Sequence, residues 1–171
     1  MKKLIGIVLT LTVVSSFFLL SPGDTFAEQM KKLEPFVGKW KTRSVYPGKD
    51  AVIPGDLEYR WVLGKNWMMV EFVGQHPERA FWEAYAMIKF DTATNRYISY
   101  DFFNADEPTT MTGAWISPQT LRFETRDETG SSEGGIDYTI KADGTIYQEN
   151  WRIDKDKGKQ ITLKTDYTRA N

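Results

Sequence analysis

Short segments in which apolar and polar residues alternate fill most of this chain, and they constrain its fold more than any other feature. The alternation is clearest in 57–63, 136–140 and 161–167, where every second residue is apolar or aromatic, with Thr165 as the exception. A period of two with one apolar face is typical of antiparallel strands that pack around one core. The sequence therefore predicts sheet rather than helix for the body of the chain.

Turn-forming residues separate these segments at short, regular intervals, as at Gly64-Lys65-Asn66 and Asp143-Gly144. About ten strands result, more than a single flat sheet tolerates, so the sheet must close or fold into two layers. The strands are predicted at Gly38–Val45, Gly55–Leu63, Trp67–Val73, Ala80–Asp91, Arg96–Asn104, Thr110–Ile116, Thr120–Arg126, Ile136–Lys141, Thr145–Ile153 and Gln160–Arg169.

Helical patterning is confined to the start of the predicted domain. Gln29–Phe36 can form one or two helical turns, and no later stretch has a helix-period pattern long enough for a βαβ crossover. We therefore predict an all-β fold, a closed antiparallel up-and-down β-barrel of about ten strands preceded by a short helix. Gly130–Gly135 is expected to be a flexible hairpin tip.

The first 27 residues have the features of an export signal. Lys2 and Lys3 precede an almost wholly apolar run from Leu4 to Leu20, and small residues stand at Thr25 and Ala27. A signal peptidase reads such small residues, so we predict cleavage after Ala27, with 1–27 as signal peptide and 28–171 as the barrel domain. The alternative is an uncleaved N-terminal anchor, for which the apolar run is slightly short. The mature protein is then periplasmic or secreted and makes no contact with the membrane.

Composition excludes several classes of function. The chain has no cysteine, one histidine and a formal net charge of -1. Without a basic stripe a nucleic-acid partner is not expected, and without cysteine or clustered histidine neither a metal site nor a Ser-His-Asp site is expected. His76 stands alone in a polar loop, where a solvated side chain is the ordinary case. No cofactor and no catalytic residue is predicted.

The hairpin formed by Trp67–Val73 and Ala80–Asp91 is apolar on both faces. If 74–79 is its loop, Val73 faces Ala80 and Glu71 faces Trp82. The N-terminal helix, a second subunit or a bound apolar ligand could cover the second face of such a hairpin. The favoured interpretation is core on one face with ordinary exposed aromatic residues on the other.

The opening motif Leu33-x-Pro35-Phe36-Val37-Gly38-Lys39-Trp40 resembles the start of a calycin, the superfamily of lipocalins and fatty-acid-binding proteins. Short motifs along the rest of the chain, such as 59–64 and Gly113-Ala114-Trp115, are similar to those of a bacterial lipocalin-like family of unknown function. The resemblance implies a barrel whose floor is closed by Trp40 lying under a basic residue of the last strand, which here is Arg169. Haem is not expected, because haem-binding calycins use a late histidine that this chain lacks.

Polar and aromatic residues within the apolar strands are the candidate ligand contacts. A few inward polar groups in an apolar cavity would orient a ligand, and an inward carboxyl would have a raised pKa. Arg60 is the first choice for an acidic head group. A shift of one residue in the strand register reverses every such assignment. The candidate ligand-binding residues are Arg60, Trp61, Glu71, Trp82, Glu83, Tyr85 and Trp115.

These observations favour an exported barrel that binds a small, largely apolar molecule in its interior. Two alternatives remain open. One is an isomerase or hydrolase that uses an inward carboxylate, which two neighbouring carboxyl groups would favour. The other is a barrel with a filled core that forms homodimers.

Overall fold

Ten antiparallel strands close into one barrel in the computed structural model, which describes residues 25–76, 79–104 and 107–170. Each strand pairs with its neighbours in the chain, and β1 pairs with β10 to complete the ring. The prediction of a closed up-and-down barrel is confirmed. The strands are β1 (Gly38–Val45), β2 (Val52–Val62), β3 (Trp67–His76), β4 (Arg79–Asp91), β5 (Arg96–Phe103), β6 (Thr109–Trp115), β7 (Thr120–Arg126), β8 (Ser132–Ile140), β9 (Ile146–Asp154) and β10 (Gly158–Arg169).

The alternation seen in the sequence is the alternation of burial along the strands. In β1 the buried residues are Trp40, Thr42 and Ser44, and the residues between them are exposed. Since successive side chains of a strand point to opposite faces, half of each strand lines the interior and half faces outward. The interior is therefore built from every second residue.

A short helical segment closes one end of the barrel, which we call the helix end. Helix α1 spans Phe26–Lys31, with Thr25 and Glu28 forming a capping box, and a 3-10 helix follows at Glu34–Phe36. The predicted helical turns at Gln29–Phe36 are present but begin earlier. The predicted cleavage after Ala27 falls within α1, and the rest of the predicted signal peptide, 1–24, lies outside the described residues. None of the helices in the described part of the chain is both long and apolar enough to cross a membrane.

Apolar residues fill the barrel next to this helical segment. Met30, Leu33 and Phe36 insert from the segment, and Trp40 and Tyr97 meet them from the strands, all of them buried. Large rings packed edge-on are suited to filling such a floor. The barrel is therefore solid at its helix end, and any interior space lies toward the opposite end, which we call the far end.

Two details of the prediction are wrong. The connection between β3 and β4 is only two residues long, so Val73 faces Glu83 and Glu71 faces Tyr85, three residues away from the expected register. In the predicted flexible tip, β8 begins at Ser132, and Gly134 and Gly135 are buried strand residues. A Cβ atom at Gly135 would lie 2.2 Å from the Phe123 carbonyl oxygen, so glycine is needed here because the two strands pack closely.

Candidate functional site

An interior cavity of about 160 Å³ lies between the packed floor and the far end of the barrel. All ten strands contribute residues to its wall, and all of these except Tyr85 on β4 have inward parity. The wall is formed by Thr42, Ser44, Leu57, Tyr59, Val70, Phe72, Trp82, Ala84, Tyr85, Ala86, Ile88, Ser99, Asp101, Phe103, Met111, Phe123, Ile136, Tyr138, Gln148, Asn150, Leu163, Thr165 and Tyr167. The interior is not filled by side chains, which separates this barrel from the alternative with a solid core.

Small residues on β4 and β5 create part of the space. Ala84 and Ala86 are successive inward residues of β4, and they pair with Phe103 and Asp101 on β5. Ser99 is the next inward residue toward the helix end. Because neither alanine reaches into the interior, the Asp101 carboxyl faces open volume rather than a packed side chain.

Two aromatic rings lie at the far-end side of the cavity. The Phe72 ring covers Gly55 and Gly74, whose missing side chains leave room for it; a Cβ atom at either glycine would lie within 2.6 Å of the ring. The Trp82 indole packs edge-on against Phe72, with ring centroids 5.4 Å apart. The pair therefore forms an aromatic wall that a bound molecule would contact.

Asp101 is the acidic group of the cavity. Its carboxylate accepts a hydrogen bond from Ser99 Oγ at 2.5 Å. Burial raises the pKa of the Asp101 carboxyl, and the hydrogen bond from Ser99 offsets only part of this effect. No basic side chain pairs with Asp101 in the ranges that the structure describes.

Three tyrosines face the cavity from other strands. Burial raises the pKa of Tyr59, Tyr138 and Tyr167 above the ordinary value, with smaller electrostatic contributions from one another and, for Tyr138, from Asp101. Their hydroxyls are therefore neutral at physiological pH. They offer hydrogen-bond donors and acceptors to a ligand and add no charge to the site.

The remaining polar residues of the wall are also neutral. Ser44 and Thr165 share a hydrogen bond of 2.8 Å, and Gln148 bonds both Tyr167 and Asn150. The buried Thr42 hydroxyl has no hydrogen-bond partner among the described residues.

The charge of the cavity therefore has one sign. Among the described wall residues Asp101 is the one residue with an acidic side chain, and no lysine, arginine or histidine is present. The side chain of His76, at the end of β3, is outside the part described. A cavity with a lone carboxyl and no basic group disfavours an anionic ligand.

Two of the seven residues proposed from sequence as ligand contacts border the cavity. These are Trp82, which has inward parity, and Tyr85, which borders the cavity although strand parity turns its 42% exposed side chain outward. Trp61 and Trp115 belong to the helix end, where their indole nitrogens donate to Glu34 at 3.0 Å and to Tyr97 at 3.2 Å. They pack against the core and do not line the cavity.

The other three, Arg60, Glu71 and Glu83, lie on the outer face of the barrel. Arg60 donates to Glu71 at 3.0 Å, and both side chains are partly exposed to solvent. Their neighbours in sequence, such as Tyr59 and Phe72, are the inward residues. The expectation that Arg60 receives an acidic head group inside the barrel is therefore corrected, because strand parity turns it outward.

The floor contact implied by the sequence resemblance is present. The Arg169 guanidinium lies 3.8 Å from the centre of the fully buried Trp40 ring. It also donates to the carbonyl oxygens of Pro35, at 2.9 Å, and Val37. One side chain thus ties the last strand to the first strand and to the helical segment.

Asp101 is one of the polar residues that the sequence places within apolar strands, but it is not among the seven predicted ligand contacts. It is a polar residue within an apolar strand, like Glu71 and Glu83, and composition gives no reason to prefer one over another. The usable signal is its parity with Tyr97 and Ser99, both inward on β5. Choosing it required knowing which parity of β5 faces inward.

The site contains neither a metal-binding cluster nor a pair of carboxyl groups within the described residues. No group of three or more histidine, aspartate or glutamate side chains there could hold a metal ion. The single inward carboxyl neither meets the criterion for the enzymatic alternative nor excludes it. No protein-family model and no curated protein matches this sequence.

Proposed function

We propose that this protein reversibly binds a small, largely apolar molecule without negative charge in its interior cavity. The observation that carries the proposal is the cavity itself, with apolar and aromatic walls and a few polar atoms aimed inward. Sites for small molecules have this composition, since apolar burial supplies affinity and a few polar groups fix orientation.

The volume of the cavity limits the ligand. At about 160 Å³ it lies below the range of roughly 300–1,000 Å³ typical of drug-sized ligands. It is close to the volume, about 150 Å³, of a dry protein cavity that takes up benzene. The expected ligand therefore has about one ring of atoms, and a long acyl chain does not fit.

We also propose that the protein is exported and is of the lipocalin-like type. An exported protein of the lipocalin-like type is consistent with the apolar N-terminal segment, the closed barrel and the contact of Arg169 with Trp40. Sequencing the N-terminus of the protein from its host would test export, with Glu28 as the expected first residue.

Tryptophan fluorescence tests binding, because Trp82 borders the cavity. Titration with benzyl alcohol should shift the emission with a dissociation constant on the order of 0.1 mM, within what so few atoms can supply. Decanol, which is too long, should bind at least tenfold more weakly. A Trp82→Phe variant should lose most of the signal.

A pair of alanine substitutions supplies the control. Ala86→Leu fills the space beside Asp101 and should weaken benzyl alcohol binding tenfold or more, whereas Ala114→Leu on the outer face of β6 should leave it unchanged. Equal binding by wild type and Ala86→Leu, or no response to any ring-sized compound, would refute an interior site.

A further inference from the structure

We propose that the ligand of this cavity is a small organic amine, whose ammonium group pairs with Asp101 while its apolar ring fills the remaining space. The inference rests on the function proposed above and names its ligand class. It starts from a carboxyl that faces open volume and has no basic partner in the described part of the chain.

The surroundings of Asp101 leave one position for a ligand cation. Ser99 occupies one carboxylate oxygen, and the residues opposite Asp101 on the two adjacent strands are Ala86 and Thr109, neither of which is charged. A buried carboxylate is stable only when it is paired, and a ligand ammonium would supply the pair.

Aromatic rings near Asp101 also favour a ligand with a positive charge. Phe72, Trp82 and Phe103 belong to the wall on β3, β4 and β5, on the far-end side of Asp101. Ammonium groups are attracted to the faces of such rings, and aromatic cages are a recurrent way to bind organic cations. A carboxylic acid ligand would meet like charge and no basic side chain.

Binding should therefore depend on pH through Asp101. The titratable groups that face it are Tyr59 from β2, Tyr138 from β8 and Tyr167 from β10, all of them neutral in this range. On the adjacent strands β4 and β6, Tyr85 is the one titratable residue among the described wall residues, and strand parity turns its 42% exposed side chain outward, away from Asp101. Affinity for an ammonium should rise with pH as Asp101 ionises, with a midpoint above the ordinary aspartate value of 3.8.

Calorimetric titration with benzylamine and benzyl alcohol, which have the same ring and nearly the same size, tests the proposal. From pH 4 to 8 benzylamine stays protonated, so a change in its affinity reports on the protein. We expect benzylamine to bind at least tenfold more tightly than the alcohol at pH 7.5, with the preference disappearing toward pH 4.

Variants isolate the carboxyl. Asp101→Asn should abolish the preference for the amine and its pH dependence, whereas Asp56→Asn, on the outer face of β2, should retain both. Benzoate should bind at least tenfold more weakly than benzyl alcohol to the wild type.

The outcomes separate the two proposals. If both compounds bind equally at every pH, or if Asp101→Asn keeps the amine preference, the amine proposal fails and interior binding stands. If no ring-sized compound binds at any pH, both fail. The wild-type pH profile alone decides the question if Asp101→Asn does not fold.

Discussion

Replacing Arg169 with methionine should destabilise the barrel strongly for an exposed residue, because this one side chain joins three parts of the floor. Methionine keeps an apolar stem over Trp40 and removes the charge and the donors. The cation–π contact, at 3.8 Å over a buried indole, contributes about 1 kcal/mol. Its two hydrogen bonds, to Pro35 and Val37, contribute about 1 kcal/mol each, since the freed carbonyls can be hydrated.

The expected loss for Arg169→Met is therefore about 2–3 kcal/mol in the free energy of unfolding, or about 5–10 °C in Tm for a domain of this size. Urea unfolding followed by tryptophan fluorescence measures it, with the m-value unchanged. Arg169→Lys, which keeps the charge and loses the planar fork, should fall between wild type and Arg169→Met.

Arg43→Met is the matched control. Arg43 is an exposed, outward residue of β1, so its replacement should change stability by less than about 0.5 kcal/mol. The reasoning about the floor is refuted if Arg169→Met is equally mild, or if the two variants destabilise to the same extent.

Three further predictions concern stability. In Asp137, burial acts to raise the carboxyl pKa, but hydrogen bonds from Arg122, Lys159 and Trp151 outweigh it and hold the pKa below the ordinary value. The stability that the ionised Asp137 contributes is present above the ordinary aspartate pKa and is lost as pH falls through the lowered pKa of the folded state. Asp137→Asn should therefore reduce the free energy of unfolding by about 2 kcal/mol at pH 7 and by progressively less below pH 4. Urea unfolding midpoints measured across that pH range test this. The pKa of Asp101 is raised instead, so its stabilising effect is present below the ordinary aspartate pKa and is lost as pH rises through the raised pKa of the folded state. Asp101→Asn should therefore raise the Tm of the ligand-free protein at pH 7.5 relative to wild type. An unchanged or lower Tm at that pH would contradict the argument from burial. Gly135→Ala would bring a Cβ to 2.2 Å from a carbonyl oxygen and 2.7 Å from the Trp151 ring, so calorimetry should find a Tm lower by about 5 °C or more, corresponding to about 2 kcal/mol.

The fold could be predicted from the sequence because its information is local. Period-two patterning and turn residues locate all ten strands, and β1 and β7 have the predicted bounds. Strands joined in chain order by tight turns need no long-range pairing to be guessed except the closure of β1 on β10. The number of strands leaves closure or a two-layer sandwich, and the resemblance of the opening motif to calycins favours closure.

The site could not be predicted in the same way, because it depends on which parity of each strand faces inward. Arg60 and Tyr59 are adjacent in sequence, and one lies outside while the other lines the cavity. In β3 and β4 the two faces are almost equally apolar, so hydrophobicity does not choose between them. The predicted register of this hairpin also differs from the observed register by three residues, and a shift by an odd number turns the predicted inward residues of one strand outward.

The apolar outer face of that hairpin is a separate property from the cavity. Val73 on β3 and Tyr85 on β4 are 40% and 42% exposed, and Phe102 on the neighbouring strand β5 is 44% exposed. A homodimer through the hairpin remains a prediction from sequence. Light scattering decides it, and a strict monomer at high concentration would rule it out. Dimer formation there would cover the outside of the strands that carry Trp82 and Asp101 without entering the interior. Ligand binding and self-association would then be independent, because the same strands present opposite faces to them.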